Sequence, residues 1–399
     1  MKDLNIKIDN INPKMASGIW EICGEEKTTK TQAEIDAAFT KYFGILNEKK
    51  AFFDKVSSED WRRVSNSLDT YLQLKYHVKE AYNMHVSTNA SLKMYELMSS
   101  KKLIKAGQPI NVFCNAELPG AFISAINHYA VNNAMPLNWV ASSYYPADIT
   151  ASDSILEDQY GIYINNKNKW LMGTREDGSY VSGDVRDVDV ITQLAKDAEA
   201  KLGVRPNLYT SDAGIDCSSA YNKQEEMTMS INFGQILCGL LSIGDKGTIV
   251  TKQYTFFNKF NRALIFELYK LFDQFYVVKP LTSRPLNSEV YLVGIGYRRE
   301  FAETRFDLLK SILKVLDTQS VEESANMLEA PPIDFDNHLL TITEIIYVDQ
   351  QFPYLDRAKK IYTTKEFVKK NQEWKKWLQI TGIKPITDKD ILPSNFIQK

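Results

Sequence analysis

The sequence predicts an α/β protein: an open, mostly parallel sheet with helices on both faces, flanked by helical N- and C-terminal extensions. Three observations carry this. Between residues 86 and 297, short β-rich runs bounded by turn residues alternate with helical stretches. On either side of that zone the apolar residues recur at three- and four-residue spacing. The chain has 399 residues, 44% hydrophobic and 25% charged. That suits one large core with attached elements, or two domains, and excludes collagen-like, low-complexity and wholly disordered classes.

The expected division is 1–85, 86–300 and 301–399. In the first part Phe39, Tyr42, Phe43 and Leu46 mark one helix. Ser57-Ser58-Glu59-Asp60 reads as a capping box opening a second, which carries Trp61, Val64 and Leu68. In the middle part strands are expected at 110–114, 137–141, 208–210, 247–252, 275–278 and 290–294. In the last part Phe306, Leu309, Ile312, Leu313 and Leu316 share a helix face. Glu329-Ala330-Pro331-Pro332 breaks the chain, and another helix is expected after His338.

A net charge of −2 argues against a surface coated in positive charge for gripping nucleic acid, but leaves room for a local basic patch. The first seven residues hold no apolar run, and none elsewhere reaches bilayer length, so no signal peptide, no membrane contact and a cytoplasmic location are expected. Cys23, Cys114, Cys217 and Cys238 are scattered, and His77, His85, His128 and His338 form no close pair. Neither a disulfide framework, a metal site nor a Ser-His-Asp arrangement is expected.

Two signals carry chemistry. The apolar run at 110–113 leads into Cys114-Asn115-Ala116-Glu117-Leu118-Pro119-Gly120-Ala121 and then a helix. Rossmann-like sheets approach a cofactor through such a strand–turn–helix, although an ordinary connection can have the same pattern. It is not G-x-G-x-x-G, which disfavours a nucleotide pyrophosphate and an oxidoreductase. Second, Asp212 follows the apolar run at 208–209, Lys252 ends the β-branched run at 248–251, and Glu289 precedes that at 290–293. A lysine ending a core strand is costly unless a carboxylate pairs with it or catalysis uses it. A purely structural Lys–Asp pair is the alternative.

At these residues the chain resembles the FtsJ-like ribose 2′-O-methyltransferases, with their Lys-Asp-Lys-Glu tetrad. It is most similar to the cap-type members of African swine fever virus and other large DNA viruses, and more distantly to eukaryotic cap-2 enzymes. The matching blocks, in order, are Thr88-Asn89-Ala90-Ser91-Leu92-Lys93, the Glu117–Phe122 turn, Asn138-Trp139-Val140-Ala141-Ser142-Ser143, Tyr221-Asn222-Lys223-Gln224-Glu225-Glu226 and Thr282-Ser283-Arg284-Pro285. They span residues 86–296, about half the chain.

The resemblance implies a Rossmann-like sheet, S-adenosylmethionine (SAM) as cofactor, no metal, and RNA rather than DNA as partner, at a capped mRNA 5′ end. It also implies a possible capping-machinery partner, and a virion or viral replication site as the location for a viral member. The tetrad would be Lys93, Asp212, Lys252 and Glu289, with Lys252 orienting or deprotonating the hydroxyl. Lys93 would lower the Lys252 pKa while the carboxylates raise it. Cofactor contacts would come from Asn115, Glu117, Pro119, Gly120, Ala121, Asp184 and Asp212. For Asp184, capping of the helix at 189–200 is the competing role.

The chain departs from the family pattern in having Cys114 where an acid is common, Pro-Gly-Ala for Pro-Gly-Gly, and no carboxylate ending the second strand. A non-catalytic descendant that binds RNA or a capping partner is the alternative function. For RNA contact the candidates are Lys101, Lys102, Lys105 and Arg284. So is the stretch 356–377, where eight Lys/Arg against three acids are interleaved with Tyr362, Phe367, Trp374 and Trp377. A solvated helix face with its aromatics in the core is the plainer reading of that stretch.

Overall fold

The β-branched and aromatic runs of the middle segment all form strands. The computed structural model describes residues 18–22, 27–147, 158–175, 177–215, 224–367 and 374–393. In chain order the elements begin with β1 Gly18–Glu21, α1 Gln32–Ala51, α2 Ser58–Leu68, α3 Leu74–Tyr82 and α4 Asn89–Lys101. There follow β2 Ile110–Asn115, α5 Ala121–Asn132, β3 Leu137–Ala141, the short pair β4 Gly173–Thr174 and β5 Tyr180–Val181, and α6 Val188–Leu202. Then come β6 Leu208–Ser211, α7 Gln224–Met227, α8 Met229–Ser242, β7 Thr248–Gln253, α9 Lys259–Leu271, β8 Phe272–Lys279 and β9 Val290–Tyr297. The chain continues through α10 Arg299–Glu303, α11 Phe306–Val315, α12 Val321–Ala325, α13 Ile333–Thr343, a π-helical stretch Glu344–Gln351, α14 Phe352–Thr364 and α15 Trp374–Thr381.

The main sheet runs β1-β8-β9-β7-β6-β2-β3. β3, β2, β6 and β7 are parallel, β9 is antiparallel to both β7 and β8, and β1 pairs antiparallel with β8. Five of the seven strands therefore point the same way, and their carboxyl ends define one edge. Strand burial is nearly continuous in β2, β6 and β7, as expected where helices cover both faces. α8 is buried along almost its whole length, between the sheet and helices α6 and α11.

Three local expectations change. Ser57 caps α2 by accepting from the Asp60 N–H at 3.1 Å, and only that half of the foreseen box is formed. α13 begins at Ile333 directly after Pro332, so His338 lies inside it rather than before it. β1, unforeseen in the N-terminal stretch, joins the sheet through the pairs Gly18↔Lys279 to Glu21↔Tyr276.

The flanking helices pack on the same core. Arg262 of α9, almost fully buried, bonds Asp36 of α1 at 2.8 Å and also pairs with Asp336 of α13. α15 returns to α4, where fully buried Trp377 donates to Glu96 at 3.2 Å. Glu96 also accepts from the Leu281 N–H at 2.7 Å and the Thr282 hydroxyl at 3.1 Å. Burial, against these donors, raises its pKa from 4.5 to about 7. The folded chain then keeps a proton that the unfolded chain releases near pH 4.5, so stability falls as pH rises through that window and levels off above it. Urea titrations between pH 5 and 8 should show Glu96→Gln with a shallower fall than wild type, by about 3 kcal/mol across the window. An unchanged slope would remove Glu96 as its source.

Candidate active site

Parallel strands bring the residues that follow them to one edge. β6 and β7 pair in register at Ser211↔Thr251, so Asp212 and Lys252 emerge side by side. Lys252 Nζ donates to the Asp212 carbonyl oxygen at 2.8 Å and lies 3.3 Å from its Oδ1. Tyr291, the cross-strand partner of Lys252 on β9, donates its hydroxyl to the same Oδ1 at 3.1 Å. The Tyr254 ring centroid is 5.7 Å from Lys252 Nζ.

The second pair comes from a helix and a loop. Thr88 and Ser91 form a capping box that starts α4, placing Lys93 in its buried first half. Lys93 pairs there with Glu289, just before β9, and both are buried. Ser283 donates to the same Glu289 oxygen at 3.4 Å. The four residues foreseen as a tetrad thus form two adjacent ion pairs.

The surroundings of each pair set the direction in which its ionisation moves. Burial opposes the charge on Lys252, but Asp212, Tyr254 and Glu289 outweigh it and hold its pKa above the ordinary lysine value. Lys93, expected to pull that value down, is occupied by Glu289. Burial likewise opposes the Glu289 carboxylate, and Lys93, Lys252 and Lys279 together hold its pKa below normal.

Lys279 was not foreseen. It ends β8 and is buried, with Nζ donating to the Glu289 carbonyl oxygen at 2.7 Å and to that of Asn287. Burial, against the pull of Glu289 and helped by Lys93 and Lys50, lowers its pKa to about 7. The cue was available: like Lys252, it closes an apolar run, Phe275-Tyr276-Val277-Val278.

Beside Asp212 opens a cleft of about 250 Å³, lined by Asn115, Leu118, Ser143, Gly183, Asp184 and Ile215 among others. The turn after β2 shapes its floor. Asn115 Nδ2 donates to Tyr209 at 2.9 Å, and the Ser143 hydroxyl accepts from the Leu118 N–H at 2.8 Å. The Leu118–Pro119 peptide is cis, and Gly120 sits at φ 101°, where a Cβ would lie 2.8 Å from Ile162.

Of the foreseen cofactor residues, Asn115, Asp184 and Asp212 line the cleft, whereas Glu117, Pro119, Gly120 and Ala121 form the turn behind it. Glu117 is buried, accepts from the Ile123 N–H at 2.9 Å, and has its pKa raised by burial to about 8. Asp184 chelates Arg186 at 2.7 and 3.0 Å, while Asp187 caps α6. Ser143, which ends a matching block, and Gly183 and Val185, which flank Asp184, line the cleft too, as do Tyr144 and Arg186, which sequence reasoning missed.

A larger cleft of about 440 Å³ lies on the other side, with Tyr254, Arg284, Asn287 and again Ile215 in its wall. Arg284 is thus near the tetrad. Lys101, Lys102 and Lys105 are not: they follow or end α4 beside the amino ends of the strands, where the Thr248 hydroxyl donates to Leu103. Lys101 there sits 3.7 Å over the Tyr276 ring.

In the basic stretch Lys359 lies over Phe52, Lys365 over Tyr362, and Trp374 stacks on His77. With Trp377 fully buried, much of its aromatic content serves packing. Lys369, Lys370 and Glu373 lie outside the described residues, as do Cys23, Cys217 and the 221–223 part of one matching block. Among the described residues, no cluster of three His, Cys, Asp or Glu could hold a metal ion, and no helix is long and apolar enough to cross a membrane.

A mostly parallel sheet with a cleft at the carboxyl edge of its strands is the layout of an α/β fold that binds its ligand there, and Lys93, Asp212, Lys252 and Glu289 lie beside that cleft. Residues 86–297 match the FtsJ-like methyltransferase family, and the chain belongs to it. A similar protein is the "Probable methyltransferase EP424R" of African swine fever virus (strain Badajoz 1971 Vero-adapted), 36% identical over 85% of this chain and 79% of that one. Another is the mouse cap-specific mRNA (nucleoside-2′-O-)-methyltransferase 2, 31% identical over 63% of this chain and 33% of that protein.

Proposed function

We propose that the chain is a SAM-dependent RNA ribose 2′-O-methyltransferase acting on cap-proximal nucleotides of mRNA. The observation that carries the reading is a pair of clefts that share Ile215 and flank Lys252: its partner Asp212 lines the smaller, and Tyr254, with its ring centroid 5.7 Å from Lys252 Nζ, lines the larger. One cleft for a methyl donor and one for an acceptor, with a charged lysine between their walls, is what a two-substrate transfer needs. The cap-specific activity named for the mouse relative supports the choice of acceptor.

The smaller cleft fits SAM in chemistry. Leu118, Val185 and Ile231 offer an apolar wall for a flat base, and Asn115, Ser143 and Asp184 offer polar groups for the sugar and amino-acid ends. SAM supplies a methyl group made electrophilic by its sulfonium. Lys252, a cation in the resting site, donates one N–H to the Asp212 carbonyl oxygen and pairs with its carboxylate at 3.3 Å. Another N–H donates to the ribose oxygen and aligns it in line with the methyl carbon and sulfur. This favours orientation over deprotonation by Lys252. The hydroxyl becomes strongly acidic only as its oxygen takes on the new bond, so the proton departs late, and the Asp212 carboxylate is the acceptor the pair offers. Lys93 and Glu289 keep the second charge pair balanced behind it. In this reading residues 86–300 carry the chemistry, with 1–85 and 301–399 as extensions.

The test is transfer of labelled methyl from SAM to capped and uncapped RNA, followed by nuclease digestion to locate the label. Label on a ribose near the cap is expected; label on a base, or none, overturns the proposal.

Gly183 gives a separate check on the donor cleft. It sits at φ 68°, and a Cβ there would lie 1.9 Å from the Ser143 carbonyl oxygen, so no alanine fits unless the cleft wall moves. Gly183→Ala should weaken SAM binding about tenfold or more by calorimetry. Unchanged affinity would mean the cofactor does not use this wall.

A further inference from the structure

The larger cleft has no counterpart in the fold of the sheet alone. One wall comes from the N-terminal helices, through Lys50 at the end of α1, Phe53 and Asp54 just after it, and Trp61 on α2. Leu355 of α14 adds to it, and the opposite wall is Tyr254, Arg284 and Asn287 from the sheet edge. At about 440 Å³ it lies within the roughly 300–1,000 Å³ typical of ligand sites.

Its chemistry is mixed in a particular way. Phe53 and Trp61 pack with centroids 4.7 Å apart and planes tilted by 54°, yet both stay half-exposed, leaving an aromatic surface turned to the opening. Two cations, Lys50 and Arg284, face one acid, Asp54. Arg284 is exposed while Ser283 and Leu286 beside it are buried, which anchors the guanidinium at the mouth. The cleft also borders the reacting groups. Asn287 accepts from the Glu289 N–H at 3.1 Å, the charge of Lys50 is felt at Lys279, and Tyr254 stands beside Lys252. An aromatic face plus a net positive rim suits a base with its phosphate better than an apolar ligand.

Resting on the RNA-methyltransferase reading, we propose that this cleft is an acceptor pocket built by the helical extensions. It holds one nucleotide of the RNA, the base against Phe53 and Trp61 and a phosphate between Lys50 and Arg284. The extensions then determine where along the RNA the reacting ribose falls, because they fix a neighbouring nucleotide relative to Lys252.

The experiment uses the full chain and a short fluorescent capped RNA oligonucleotide. Anisotropy gives RNA affinity without any transfer, the labelled-SAM assay gives KM for RNA, and calorimetry with SAM reports an intact donor cleft. Trp61→Ala should weaken RNA binding and raise KM about tenfold, with Trp61→Phe restoring most of it. Lys50→Ala should cost about fivefold and flatten the salt dependence. SAM affinity should be unchanged in all three. Equal RNA affinity in wild type, Trp61→Ala and Lys50→Ala overturns the pocket whether or not transfer is seen. Failure of the wild-type chain to methylate any RNA would instead strike the reading beneath it, and is told apart because binding is measured independently.

Discussion

Lys252→Met is expected to lower methyl transfer to RNA by about 1,000-fold or more, with SAM binding and folding largely preserved. The magnitude follows from what the ammonium does in the proposed mechanism. Misplacing a nucleophile costs about 10²-fold, and the proton transfer to Asp212 that the same contact lines up is worth about 10²–10⁴-fold. Methionine fills the same volume, and the partner left behind, Asp212, is only partly buried and still accepts from Tyr291. The stability cost should therefore stay near 1 kcal/mol. Single-turnover rates with saturating RNA and SAM, beside a urea titration, check both halves. Loss of fold in the variant would recast Lys252 as structural, and retention of transfer within tenfold would remove it from the chemistry. Because its pKa lies above the ordinary lysine value, Lys252 should contribute no ionisation to the rate profile near neutral pH. A wild-type profile with a neutral-pH limb that neither Lys279→Met nor Glu117→Gln removes would reopen its role as a base.

What the sequence made legible was what local pattern encodes. The six central strands were readable because each is a β-branched or aromatic run closed by turn residues, and burial on both faces makes such runs continuous. β1 was not: four residues, Gly-Ile-Trp-Glu, are too short to stand out, and only the exposed edge of β8 makes them a strand. The same holds for β4 and β5, two residues each. At the site, Asp212 and Lys252 were visible as polar ends of apolar runs. The Lys93–Glu289 pair spans 196 residues, and only the family resemblance joined them in advance. For Lys101, Lys102 and Lys105, closeness to Lys93 in sequence became distance along α4. The direction of a helix, which pattern alone does not give, carried them away from the edge where the strands end.

Glu289→Ala is expected to destabilise the chain by about 3–5 kcal/mol, the largest stability effect of any substitution in the site. The carboxylate is buried among three lysines. It pairs with Lys93, raises the charge state of Lys252, and shares its own backbone oxygen with Lys279. Taking it away leaves the Lys93 ammonium buried without its counter-charge, which costs far more than the pair contributes net. Lys279 supplies a pH signature for the same event. Its pKa is lowered to about 7 in the folded chain against 10.5 ordinarily, so between those values the unfolded chain binds more protons and stability rises with pH. Without Glu289 opposing the shift, the Lys279 pKa falls further and the rising window extends to lower pH. Denaturation at pH 6.5 and 8.5 should therefore show Glu289→Ala more strongly stabilised by alkali than wild type. Lys93→Met combined with Glu289→Leu removes both charges and should recover much of the stability. A cost below about 1 kcal/mol for Glu289→Ala, or additive losses in the double variant, would mean that the two buried charges do not depend on each other.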